Sequence, residues 1–149
     1  MNTFQVNDGD FVLSNGAFAM VTGTDKIQQD LGIAINTPYG SDRFHARFGS
    51  TMENFIGQPA GPTSSMLLKS EVTRVVSNYQ AVQTANSNSY IAKGLNSPYS
   101  QNDLVQSLNS VTVTQDYDTF EVAAVLTTQA GQSTVISATV SPNSVTTGS

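Results

Sequence analysis

Residues 111–140 read VTVTQDYDTFEVAAVLTTQAGQSTVISATV, and this stretch decides the fold. Val111 and Val113, Phe120 and Val122, then Ile136, Ala138 and Val140 recur at every second position, the pattern of a strand with one buried face. Asp116-Tyr117-Asp118 and Gln129-Ala130-Gly131 put turn-forming residues between the runs. Three strands are therefore expected, over Val111–Thr114, Thr119–Thr128 and Gln132–Val140, joined in order as an antiparallel meander. Pro142 ends the last one. Residues 142–149 are rich in Ser, Thr and Gly and are expected to form a mobile tail, leaving 1–141 as one domain.

Helical signals lie upstream. Leu68, Val72, Val75, Val76 and Tyr79 follow a 3.6-residue period, which predicts a long helix from Thr63 or Ser64 to about Gln83. Residues 84–100, with many Ser and Asn, read as a loop, and Ser100-Gln101-Asn102-Asp103 as the cap of a short helix through Leu108. Ile27, Leu31, Ala34 and Ile35 form a second stripe, with Thr24 or Asp25 as its cap and Pro38 beyond its end. Ser50-Thr51-Met52-Glu53 has the form of a capping box for a short helix over Thr51–Ile56, followed by a breaker-rich link through Pro62. At the start, Phe11 and Leu13 face Phe18 and Met20 across Ser14-Asn15-Gly16. Asn-Gly between apolar runs predicts a β-hairpin. No internal repeat is read. The order of hairpin, two to four helices and meander predicts an α+β domain, with helices on one face of an antiparallel sheet.

Composition narrows the function classes. The 149 residues contain no cysteine, which removes disulfides, thiolate nucleophiles and cysteine metal sites. Charged residues are 11% of the chain, so its polarity comes mainly from Ser, Thr, Asn and Gln. Such a surface suits a protein packed among neighbours, and equally a Ser/Thr-rich soluble domain. The net charge is −5, and the six basic residues are scattered, with only Arg43 and Arg47 close together; no basic face for nucleic acid is expected. No run of apolar residues is long enough to cross a bilayer. Met1–Asp10 has two acids and no base, unlike a secretory signal. The single histidine, His45, has no second histidine or cysteine with which to form a zinc site, and no cofactor is expected.

Arg43, Phe44, Arg47 and Phe48 lie in a glycine-bounded loop from Tyr39 to Gly49. Arginine and aromatics are enriched at interface hot spots, so this loop is a candidate protein contact. The alternative is that Phe44 and Phe48 pin the loop to the domain's own core.

Several ordered pieces together resemble the baseplate wedge family of contractile phage tails, the sheath-initiator type, which also occurs in type VI secretion. They are Asp8-Gly9-Asp10-Phe11-Val12-Leu13 with Asn15-Gly16-Ala17-Phe18, and Asp25-Lys26-Ile27-Gln28-Gln29-Asp30-Leu31. Asn36-Thr37-Pro38-Tyr39-Gly40, Phe48-Gly49-Ser50 and Phe55-Ile56-Gly57-Gln58-Pro59 follow, and Thr127-Thr128-Gln129-Ala130-Gly131 comes last. The resemblance spans roughly residues 8 to 140. One departure is the lack of a Glu-Pro-Arg tripeptide after the long helix, where Ser77-Asn78-Tyr79-Gln80 stands. The resemblance implies a non-enzymatic virion protein, made in the host cytoplasm and built into the tail baseplate. Its implied partners are other wedge proteins, the sheath subunit and the tail tube, in six-fold assembly. It would template the first sheath ring by β-strand augmentation. Segment 132–140 has no charged residue, which suits an edge joined to a neighbour and equally an inner strand; Val135 and Ile136 are its candidate contact residues.

Two further function classes remain: a protein-binding module of similar plan, and a cell-wall glycosidase, since relatives of this family are often labelled lysozyme-like. A glycosidase needs two carboxylates, one with a raised pKa. Glu53, Glu71 and Asp42 are the candidates. Each has a simpler reading: a cap at Glu53, a surface pair of Glu71 with Arg74, and a polar loop at Asp42.

Overall fold

The computed structural model describes residues 2–7, 10–55, 61–141 and 144–148. The meander is the sheet. β7 (Val105–Asp116), β8 (Thr119–Thr128), β9 (Ser133–Ser141) and β10 (Ser144–Gly148) form four antiparallel strands in the order β10-β9-β8-β7. The alternation predicted from the sequence holds: Phe120, Val122, Ala124 and Leu126 on β8 and Ile136, Ala138 and Val140 on β9 are buried. Their outward neighbours meet solvent, so only one face carries helices.

Two helices cover that face. α1 (Gly23–Asn36) brings Ile27, Leu31, Ala34 and Ile35, and α2 (Pro62–Ala92) brings Leu68, Val72, Val75 and Val76, into one core with the sheet. The fold is α+β, as expected. Between the helices, Asp30 accepts hydrogen bonds from buried Lys26 and from the Tyr79 hydroxyl. Burial and the Asp30 charge push the Tyr79 hydroxyl well above its usual range, so it stays a donor.

Several boundaries differ from expectation. α2 runs past Gln83 to Ala92, taking in half of the expected loop. Ser and Asn cost only a few tenths of a kcal/mol each inside a helix, about 0.7 at most, so an already packed helix propagates through them. It stops where Gly94 follows: Gly94 N–H donates to Ile91 O (2.9 Å) and Leu95 N–H to Tyr90 O (3.0 Å), a Schellman ending. The expected helix over 100–108 is a turn followed by β7. Ser100 and Asp103 do cap one another, but from Val105 onward the chain pairs with β8. The expected helix at Thr51 is a 3-10 turn, Met52–Phe55. Ile56, and the link from Gly57 to Ala60, lie outside the described residues, as do Asp8, Gly9 and Pro142. The expected mobile tail is instead β10, paired with β9 from Ser144↔Ser141 to Gly148↔Ser137. Val145 packs on the core, and Val and Thr suit a pleated, half-buried surface.

The expected N-terminal hairpin is one leaf of a three-leaved knob. Three two-residue pairs form: β1 (Thr3–Phe4) with β6 (Met20–Val21), β2 (Val6–Asn7) with β3 (Asp10–Phe11), and β4 (Leu13–Ser14) with β5 (Ala17–Phe18). The last closes over Asn15-Gly16, both at positive φ as this turn requires. A ring of three backbone hydrogen bonds joins the leaves: Gln5 N–H to Ala19 O (2.7 Å), Ala19 N–H to Val12 O (2.8 Å) and Val12 N–H to Gln5 O (2.9 Å). The closing bond, from Gln5 to Ala19, spans fourteen residues and the other two span seven each. The sequence carries the same period, with Phe4, Phe11 and Phe18, then Gly9, Gly16 and Gly23. There is thus an internal repeat, a tandem heptapeptide, contrary to expectation.

The start of α1 also differs. Thr22 makes no side-chain cap. The cap comes from 80 residues away: Asp103 Oδ1 accepts the Gly23 N–H at 2.7 Å while Oδ2 accepts from Ser100. Burial alone would raise the Asp103 carboxyl. The hydrogen bonds it accepts, among them those from Ser100 and Gly23, hold it instead at about 2. Because this folded value lies below the ordinary 3.8, the stabilisation is full above that value and is lost as pH falls toward 2. Asp103→Ala should destabilise the fold by about 1–3 kcal/mol at neutral pH. In acid titrations followed by circular dichroism, the gap between wild type and variant should close as pH drops through that window.

Candidate functional site

The segment from Pro38 to Ser50 is a closed loop with a rigid base. Ser50 N–H donates to Thr37 O (2.8 Å), Tyr39 N–H to Ser50 O (3.0 Å) and Gly40 N–H to Phe48 O (3.2 Å). Gly49 sits at φ 97°, and a Cβ there would lie 2.6 Å from Thr37 O, so the two limbs approach too closely for any other residue.

α2 clamps this base. Arg74 donates to Gly49 O (2.8 Å) and stacks 4.7 Å from the Tyr39 ring centre. Its guanidinium also holds Glu71 through Nε–H to Oε2 (2.9 Å) and Nη2–H to Oε1 (2.6 Å). Glu71 Oε1 in turn accepts the Thr51 N–H at 2.7 Å. Burial would raise the Glu71 carboxyl, but the bonds from Arg74 and Thr51 outweigh it and hold it below the usual carboxylate range. Glu71 is buried, not the solvated surface partner expected from the sequence. It binds the loop to the helix, and its lowered pKa is opposite to what a general acid needs. Asp42 is also held low, chiefly by the Phe44 N–H, with His45 adding to it. Glu53 is exposed on the 3-10 turn. Among the described residues no three of Asp, Glu and His could together hold a metal ion.

The rigid base carries an exposed tip. Arg43, Phe44 and Arg47 point to solvent and Phe44 is 91% exposed. Phe44 therefore does not pin the loop to the core. Phe48, nearer the base, is less exposed. Arg43 and Arg47 have no acidic partner among the described residues, whereas Lys26 and Arg74 are both paired. The loop brings together four of the six candidate contact residues.

The other two lie apart. Val135 and Ile136 are on β9, which is an inner strand from Ser137 to Ser141, where β10 covers it. Of the two readings of 132–140, the inner strand therefore holds for most of its length and the open edge does not, because the tail supplies another strand. Ser133–Ile136 extends beyond β10, and Gln28 caps the Val135 carbonyl there at 3.0 Å. Val135 points outward; Ile136 is buried and lines a groove of about 700 Å³ among the knob, α1 and β10.

The sheet's outer strands are the short β10 and the long β7, and β7 is the longer free edge. No strand flanks its outer side among the described residues. Its first residues are capped by α2, with Gln80 on the Val105 and Gln106 carbonyls and Gln83 on the Val105 N–H. Register shifts interrupt it up to Ser110, beyond which pairing with β8 is unbroken to Asp116. Ser110–Gln115 has no charge. The sequence showed this run, but not that it would be outermost.

The knob is a second surface that the sequence reading missed. Phe4, Phe11 and Phe18 meet edge to face, with ring centres 5.3–5.8 Å apart, yet each is about half exposed, as are Leu13 and Met20. The seven-residue spacing of Phe and Gly was the available signal. Contiguous exposed apolar surface of this kind marks interaction sites.

No protein-family model matches the chain, and no curated protein matches it.

Glu71→Ala should lower stability by about 2–3 kcal/mol, because Arg74 and the Thr51 N–H lose a charged partner. Amide exchange at Gly40 and Ser50 should quicken more than at Val122 or Leu126. Equal change throughout would show that Glu71 does not hold the loop.

Proposed function

We propose that the chain is a structural subunit of a phage tail baseplate wedge, joining its neighbours by strand addition along β7. The observation that carries the reading is that edge: a long outer strand with an uncharged, regularly paired run from Ser110 to Gln115. Soluble proteins protect such edges with charge, Pro or bulges. Here the protection, two register shifts and two α2 glutamines, covers only the first half. A strand laid beside the second half gains main-chain hydrogen bonds, the basis of β-augmentation.

Two other features support a packed rather than a dispersed state. Charge is sparse, and six of the exposed aromatics, Phe4, Phe11 and Phe18 and then Tyr39, Phe44 and Phe48, cluster at a knob and a clamped loop. The ordered motifs that resemble the sheath-initiator family supply the remainder of the reading: wedge proteins, the sheath subunit and the tail tube as partners in a six-fold assembly, with β7 as a template for the first sheath ring.

Thr112 and Thr114 are exposed on β7, so Thr112→Lys/Thr114→Lys should change stability by about 0.5 kcal/mol or less. The charges should nevertheless bar a neighbouring strand. Tails assembled with this variant in place of wild type should lack the chain, or lack sheath, when purified particles are analysed by mass spectrometry. Normal incorporation and a normal sheath would refute joining through β7.

A further inference from the structure

We propose that the Arg43–Arg47 loop of one copy docks on the Asp116-Tyr117-Asp118 turn of a second copy of this chain. Phe44 and Tyr117, 91% and 90% exposed, are the two most exposed large apolar side chains among the described residues. Each is flanked by charge, Arg43 and Arg47 on one side and Asp116 and Asp118 on the other. None of these four charges has an ion-pair partner among the described residues. The loop's own carboxylate, Asp42, is committed to the Phe44 and His45 N–H groups, so the charge the tip presents is positive.

The turn itself points to a contact. Tyr117 links β7 to β8 at φ 55°, a conformation suited to glycine and strained for a bulky side chain. Among the described residues no hydrogen bond or ring contact uses its side chain. A strained, solvent-exposed aromatic at a hairpin tip is the kind of outlier that accompanies binding. Two copies of a chain with net charge −5 repel one another overall, so self-association needs a local cationic surface. The loop provides two unpaired cations within five residues. Arginine stacks on aromatic faces, as Arg74 does on Tyr39 within this molecule, so Arg43 or Arg47 against Tyr117 repeats a pairing the fold already uses.

The contact joins two different patches, so it extends head to tail into a ring or a line, or doubles across a two-fold axis. It is small, and weak by itself. It does not depend on the baseplate reading, nor on β7 as a joining edge.

The test uses the full chain in sedimentation velocity over a wide concentration range. At low salt the wild type should associate with a Kd of about 1 mM or tighter. Salt on the order of 1 M, where the screening length is about 3 Å, should weaken it about tenfold. Arg43→Glu/Arg47→Glu and Asp116→Lys/Asp118→Lys should each be monomeric. Their equimolar mixture should associate as the wild type does, because each like-charged contact becomes an opposite one. Tyr117→Gly should raise the melting temperature and weaken association about two- to fivefold. A wild type that stays monomeric up to about 1 mM at low salt overturns the proposal. So does association that survives either charge reversal, or a mixture of two folded variants that fails to associate.

Discussion

A buried carboxylate holds this fold in register. Asp103 lies where the chain leaves the helices and enters the sheet. Its side chain caps the first turn of α1 through Gly23 and closes the turn at Ser100, while its own carbonyl accepts from Gln83 of α2 at 2.6 Å. Gln83 returns to the Val105 N–H, the first of β7. Two side chains thus tie α1, α2 and β7 at one point. Gly23 also ends the third heptapeptide, so the same node fixes the knob to the body. An ionised group can stay buried here only because nearly every lone pair it presents is occupied. Apolar packing between helices and sheet supplies most of the stability, but it slides more easily than this directional set of bonds.

The parts of the fold governed by short-range periodicity were legible in the sequence. The β8 strand was read to the residue, and all four stripe residues of α1 are buried. What was not legible depended on distance. The α1 cap comes from Asp103, so Thr24 and Asp25 looked sufficient when only neighbours were considered. Residues 84–92 have mediocre helix propensity, and what carried the helix through them was the packed portion ahead of them. The tail became β10 because β9 offered it an edge. The repeat is different, since Phe4, Phe11 and Phe18 stand in plain sequence. A single Asn-Gly turn explained one leaf well enough to hide the other two.

The candidate contact residues divide in the same way. Arg43, Phe44, Arg47 and Phe48 were found because arginine and aromatics together are a chemical signal independent of fold. Val135 and Ile136 were chosen as part of an edge, and edges are a property of topology. Without β10, β9 would have been an outer strand, on the edge opposite β7; with it, the outer strands are β10 and β7. The glycosidase candidates resolve through their partners. Glu71 and Asp42 both serve the loop, one clamping its base to α2 and the other shaping its tip.

The three surfaces share a construction. In the loop, the knob and the β7 edge, a few apolar or uncharged groups are left open on a base fixed by hydrogen bonds. Preorganised groups lose little entropy when a partner arrives. That suits a subunit added once to a permanent assembly. The most direct measurement is an electron cryo-microscopy reconstruction of the phage tail proposed to hold this chain. The account predicts six copies in a ring around the tube, with a neighbouring strand hydrogen-bonded along Ser110–Gln115. A reconstruction in which the chain is absent, or present with β7 facing solvent, would contradict it.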